Sequence, residues 1–253
     1  MDLDRTIGEI LRPKRIAVCT AWGSPFVWTH GAYNMMNLER PKDTEVRFFP
    51  GFGWCPARRH MDGVERALSW GATHVCFLGA DQMHPTDILV KFSDHAANGW
   101  PVVAALVPCR GWVKSDKIDK PFIKIGWKWK DDNSNKTGDC YNTDYMKLVD
   151  PADGPYQEIV STGSGALMFD VNLLGKMKKP WFTERVSDDD YNRTASMDTT
   201  FCYRLMVEGG ARILCDLTID IIHLDVFPID ESYGDRFKDW PKWKAQEALH
   251  KYL

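Results

Sequence analysis

Short, nearly continuous apolar runs punctuate the first 108 residues: Arg15 to Thr20, Glu45 to Phe49, Thr73 to Leu78 and Val102 to Val107. Runs of this length, followed by glycine or proline, predict strands buried on both faces. Between them apolar residues recur at helical spacing, near 29–39, over 57–70 and over 86–98. In the second of these, Met61, Val64, Ala67 and Leu68 share a face; Gly71 and Gly99 stop the second and third. Strand and helix in alternation predict a parallel sheet covered on both sides.

From 109 to 150 the texture changes. Lys120-Pro-Phe-Ile-Lys-Ile-Gly-Trp-Lys-Trp-Lys130 alternates apolar with basic residues and runs into the turn-rich Asp131 to Gly138, which predicts an exposed antiparallel hairpin. Core character returns at Gly165 to Phe169. A helix follows over 198–208, ended by Gly209 and Gly210, then strands over 212–216 and 219–224 and a last helix to Leu253. No repeat or linker divides the chain. The expected fold is therefore one α/β domain with a mixed, mostly parallel sheet flanked by helices and an antiparallel hairpin insertion. Residues 1–108 form one half, about 109–225 the other, and 226–253 a tail.

Composition narrows the function classes. With 35 acidic against 32 basic residues and a net charge of −3, the chain lacks the broad basic footprint of a non-specific nucleic-acid binder. No run approaches the roughly 18 apolar residues of a membrane span, and the charged first 30 residues do not read as a signal peptide, so a soluble protein is expected. Seven cysteines, an odd number without a Cys-x-x-Cys pair, predict free thiols in a reducing cytoplasm. Eleven tryptophans are many, and indoles serve both as core filler and as platforms for sugars and bases.

Several chemistries are excluded by missing motifs. There is no Gly-x-x-x-x-Gly-Lys-Ser/Thr loop and no His-Glu-x-x-His. Gly163-Ser164-Gly165 lacks the outer glycine of a nucleophile elbow, and Thr20-Ala21-Trp22-Gly23 stands where a dinucleotide fingerprint would be. What remains is Asp81, at the end of a strand in an open α/β sheet, where ligands bind beyond the carboxyl ends. A carboxylate there can hold a divalent cation, which in turn can hold a diphosphate. The plain alternative is that Asp81 to Pro85 only caps the following helix.

The order of the segments resembles the nucleotide-sugar glycosyltransferases of the GT-A fold, especially the family 2-like group. Phe77-Leu-Gly-Ala-Asp81 resembles that family's strand ending in Asp-x-Asp, with Gly79 at the first acidic position. Thr162-Gly-Ser-Gly-Ala-Leu-Met168 resembles its glycine loop. Met197-Asp-Thr-Thr-Phe-Cys-Tyr-Arg204 with Gly209-Gly-Ala-Arg-Ile213 resembles "Glu-Asp-x-x-Phe-x-x-Arg … Gly-x-x-Ile", with Met197 in place of Glu. Ile222-His-Leu224 resembles the terminal histidine motif, and Pro56-Ala-Arg58-Arg an "Ala-Arg-Asn" helix start. The likeness spans about residues 15–225.

The resemblance implies a transferase that takes a sugar from a nucleotide-diphosphate donor, uridine-linked by expectation, with Asp81 and His223 holding Mn²⁺ or Mg²⁺. The imidazole favours manganese. Thr20, Ala21, Trp22, Arg58, Asp81, Gly163, Ser164 and Gly165 would line the donor, and Asp198 would be the base that takes the acceptor's proton, with inversion; if Asp198 only positions groups, retention is open. The plain alternatives are a core role for His223 and a helix cap for Asp198. His84 could serve as a substitute ligand, although a loop histidine beside a helix cap is the plainer reading, and Asp188, Asp189 and Asp190 form a solvated loop rim, with Asp190 the candidate to reach acceptor hydroxyls. Trp127 and Trp129 are acceptor candidates, by stacking beside Lys128 and Lys130, with a twisted cover strand the equal alternative; a saccharide, a lipid-linked sugar and hydroxymethylated DNA all suit an acceptor role. A nucleotidyltransferase and a non-catalytic sugar-binding module are the competing readings. Gly79 and Met197, each standing where the family carries an acid, lend weight to the module.

Overall fold

The computed structural model describes residues 13–21, 29–109, 112–115, 118–121, 124–131, 146–186 and 193–224. Its first half follows the predicted alternation: β1 (Arg15–Ala21), α1 (Thr29–Met36), β2 (Glu45–Gly51), α2 (Pro56–Trp70), β3 (His74–Leu78), the two-residue β4 (Gln82–Met83), α3 (Ile88–Ala97) and β5 (Val102–Ala104). Proline opens α2, and Gly71 ends it in the left-handed conformation at φ 82°, donating to the Leu68 carbonyl. β6 (Trp112–Ser115), β7 (Ile118–Pro121), β8 (Gly126–Trp129), β9 (Met146–Leu148), β10 (Tyr156–Ile159), β11 (Ser161–Thr162) and β12 (Ala166–Asp170) come next. The described chain ends with β13 (Arg185–Val186), β14 (Arg193–Ala195), α4 (Met197–Val207), β15 (Ile213–Asp216) and β16 (Ile222–His223).

Seven strands make the central sheet, in the order β10-β15-β5-β12-β3-β1-β2. β1, β2, β3, β5 and β15 run parallel, while β12 lies antiparallel between β3 and β5, and β10 antiparallel along β15. This is a Rossmann-like α/β architecture, as the alternation predicts. Successive residues of β3 point to opposite faces. Val75 and Phe77 join a core with Phe169, Phe182 and Phe201, on the side of α2 and α4; Cys76 and Leu78 join one with Ile88, Leu89 and Phe92 of α3. With both faces covered, the carboxyl edge of the sheet is where the strand ends meet solvent. There β3 leads to Asp81, β1 ends at Ala21, and the 163–165 loop enters β12.

The expected antiparallel pairing is present: β8 pairs antiparallel with β9, and beyond the expectation β8 also pairs with β11 while β6 pairs with β7 in a second small antiparallel unit. The apolar–basic alternation marks strand character but not the partner, because β8 finds β11, which is remote in sequence. The expected strand over 219–224 contracts to Ile222–His223, paired with β4. The tail helix lies outside the described residues. No helix among the described residues is long and apolar enough to cross a membrane. Six of the cysteines are free thiols, and burial pushes those of Cys19, Cys202 and Cys215 up to about 12. Cys140 lies outside the described residues.

Candidate functional site

Asp81 follows β3 at the carboxyl edge, and the β4–β16 pair brings His223 to it. His223 lies opposite Gln82 in that ladder, and the Leu224 amide donates to the Asp81 carbonyl at 2.7 Å. His223 Nδ1 sits 2.7 Å from the Pro108 carbonyl oxygen, an acceptor only, so Nδ1 carries the proton. Nε2 lies 3.5 Å from Asp81 Oδ2, an ion pair when the ring is protonated and a free lone pair beside the carboxylate when it is neutral. The two side chains are 15% and 36% exposed, open enough for a ligand to reach them.

This donor set suits a divalent cation. A carboxylate oxygen and an imidazole nitrogen converge, and the second ring nitrogen is fixed on a backbone carbonyl, the arrangement that orients ligating histidines. Among the described residues no group of three His, Cys, Asp or Glu side chains gathers as a metal cage. A cation here would therefore complete its shell from ligand oxygens and water. Asp81 does not cap α3, whose cap position is Asp87. His84 is not the alternative ligand: its Nε2 lies between Gln82 Oε1 at 3.1 Å and the Gly165 carbonyl at 3.2 Å, and burial pushes its pKa down to about 4. Its backbone is held on both sides by the Asn34 carboxamide, at 2.7 Å each.

The glycine loop lies beside Asp81, because the Gly79 amide donates to the Gly165 carbonyl at 2.9 Å. Gly163 has open space where a side chain would stand, and Ser164 is half-buried. On the other flank of this segment, α4 packs against β11, and Cys202 Sγ approaches the Thr162 carbonyl at 3.7 Å. Asp198 stands in the first turn of α4. The cap belongs to Ser196, whose hydroxyl accepts from the Thr199 amide, so Asp198 is not needed for that task. Its Oδ1 is buried and has no hydrogen-bond partner. Met197 turns into the core, 5% exposed among Phe169, Phe201 and Leu205, which accounts for an apolar residue in place of an acid.

The remaining candidates sit at varied distances from this centre. Thr20 is buried, with its hydroxyl turned to Met35 Sδ, and Ala21 is half-exposed at the end of β1. Arg58 is exposed on the first turn of α2, beyond the end of β2 and so two strands from Asp81. Trp22, Asp188, Asp189 and Asp190 lie outside the described residues. Trp127 and Trp129 are half-buried and pack against Met146 and Val160. Lys128 bonds Gln157 at 2.6 Å and pairs with Asp153, and Lys124 pairs with Asp220 at 2.8 Å, so two of the segment's lysines are already neutralised. Trp127→Ala is expected to cost about 1–3 kcal/mol, less than a fully buried tryptophan, and a melting curve reads it. A melting temperature unchanged by the substitution would return Trp127 to a purely ligand-facing role.

Gln82, Asn34 and Pro108 are the contributors that sequence reasoning missed. Gln82 and His84 flank Met83 just after the strand-ending acid, a clustering of polar groups that is a usable signal. Asn34 and Pro108 act through backbone contacts, which leave none.

No family model and no curated protein matches the chain. Among solved structures, A197 from STIV is similar, with a TM-score of 0.51 at 14% identity, covering 84% of this chain and 86% of that one. A likeness at that identity concerns the fold alone.

Proposed function

We propose that this protein is a metal-dependent glycosyltransferase that moves a sugar from a nucleotide-diphosphate donor, uridine-linked in the simplest case, to an acceptor hydroxyl. The observation that carries the reading is the convergence of Asp81 and His223, remote in sequence, at the ligand edge of the sheet beside the glycine loop. When bound, a cation at this pair supplies positive charge opposite the departing diphosphate. Asp81 and His223 hold their donor atoms ready, the imidazole fixed by Pro108. The open backbone at Gly163 admits the donor closely. Asp198 accepts the acceptor's proton as the new bond to the anomeric carbon forms and the bond to the diphosphate oxygen breaks, which gives inversion. The paired lysines near β8 favour a saccharide or lipid-linked acceptor over DNA, since cations already neutralised release few counterions.

Nucleotide sugars screened by thermal shift with Mn²⁺ provide the test. A bound donor at about 100 times its dissociation constant stabilises by roughly 2.7 kcal/mol. Asp81→Asn is expected to abolish the Mn²⁺-dependent shift and leave the melting temperature without ligand nearly unchanged, because Asp81 caps no helix. His223→Ala should weaken the shift less. An undiminished shift in Asp81→Asn overturns the reading. Binding without any donor hydrolysis would favour the sugar-binding module, to which Gly79 and Met197 lend weight.

A further inference from the structure

Glycine at 79 is where the chain departs from an Asp-x-Asp strand end, yet the backbone there does not call for glycine, because Gly79 takes no positive φ. What excludes a side chain is Gln82. A Cβ at 79 would lie 2.4 Å from Gln82 Cδ, 2.5 Å from Nε2 and 2.7 Å from Oε1. The same carboxamide bars position 165, where a Cβ would lie 2.4 Å from Nε2. Gln82 cannot swing aside freely: it is 5% exposed, flanked by both glycines, and its Oε1 meets His84 Nε2 at 3.1 Å. His84 is in turn held by Asn34. Gln82 also follows Asp81 directly and lies opposite His223 in the β4–β16 ladder. One neutral side chain therefore touches the glycine loop and fills the space that a second carboxylate would need.

We propose that Gln82 is the specificity-determining residue of the cation site: by making an acid at 79 sterically incompatible, it holds the site to one carboxylate and one imidazole. A site of that low charge, with a nitrogen donor, suits Mn²⁺ and is poor for Mg²⁺, which demands hard oxygen ligands in a near-ideal octahedron. The cation part rests on the proposed function, whereas the steric coupling of 79 and 82 does not.

Five proteins test it: wild type, Gly79→Asp, Gln82→Ala, the double variant and Asp81→Asn. Melting without metal reads the steric part; Mn²⁺ binding by electron paramagnetic resonance, with Mg²⁺ as competitor, reads the cation part. Gly79→Asp alone should melt roughly 5 °C or more below wild type, and the double variant should recover beyond additivity. The double variant should also bind Mn²⁺ about tenfold more tightly and become sensitive to Mg²⁺, since a carboxylate has been added. If Gly79→Asp melts with wild type, or if the double variant is as unstable as Gly79→Asp, Gln82 is not what excludes the acid. If the double variant folds with unchanged Mn²⁺ affinity and Mg²⁺ sensitivity, Gln82 does not set cation preference. Equal Mn²⁺ binding by wild type and Asp81→Asn would sink the cation part together with the proposed function, and the melting comparison would still judge the coupling.

Discussion

Asp198→Asn is expected to lower turnover about 10²–10⁴-fold, with donor affinity and melting temperature little changed. Three features separate a catalytic loss from a structural one here. Ser196 already caps α4, so removing the charge at 198 strips no cap from the helix. Asparagine keeps the size of the side chain and one carbonyl acceptor, but it cannot take a proton. The Asp198 Oδ1 oxygen is buried with no partner, a condition costing about 1–3 kcal/mol for an ordinary polar group, and an acceptor hydroxyl would supply the missing donor. The measurement is turnover under conditions where chemistry limits the rate, beside melting curves and donor titrations. Should the variant keep more than a tenth of wild-type turnover, Asp198 is not the base, and the search moves to Asp188, Asp189 and Asp190.

A second large effect is expected from acid. Burial pushes the pKa of His74 and of His84 from 6.5 down to about 4, and lowers that of His60, despite the opposing pull of Asp170 on His74 and of Asp198 on His60. The folded protein keeps these rings neutral where the unfolded chain protonates them. Between about pH 6.5 and 4 the unfolded state therefore binds more protons, and stability falls as the pH falls. At about 1.4 kcal/mol per unit, His74 and His84 each contribute on the order of 3 kcal/mol to that loss. A melting temperature that drops steeply through this window, and less steeply in His74→Gln, is the expected result. A flat profile from pH 6.5 to 4 would mean that the rings are solvated in the folded protein.

How much of this was legible in the sequence differs from element to element. β1 and β3 are readable because a strand buried on both faces must be almost wholly apolar, whereas β2 proves to be an edge strand with Arg47 and Phe48 exposed, so its apolar run predicts the strand but not its burial. α2 is readable because its buried face, with His60, Met61, Val64 and Ala67, repeats at helical spacing and Gly71 supplies the left-handed end. Asp81 stood out because a polar residue directly after a buried strand lands on the ligand edge. The likeness in motif order then drew His223 and Asp198 into consideration, although no local pattern around either of them says what it faces.

Other features depend on contacts between remote segments. The apolar character of β12 is plain in Gly165 to Phe169, but its antiparallel insertion between β3 and β5 is set by where the chain re-enters the sheet. β8 reads as an exposed strand, whereas pairing with β9 and β11 turns Trp127 and Trp129 toward Met146 and Val160. The role of Gly79 was hidden for the same reason: its space is taken by a side chain three positions later that folds back over it.

The sequence by itself determined which segments are buried and which residue types end them, because burial and backbone preference act over a few neighbouring residues. Only the tertiary structure decided that His223 faces Asp81 with one ring nitrogen on the Pro108 carbonyl, that Ser196 rather than Asp198 caps α4, and that the Gln82 carboxamide fills the space of a side chain at 79. These outcomes depend on directional contacts of a few ångströms between chain segments, and the spacing of residues along a chain does not encode that geometry.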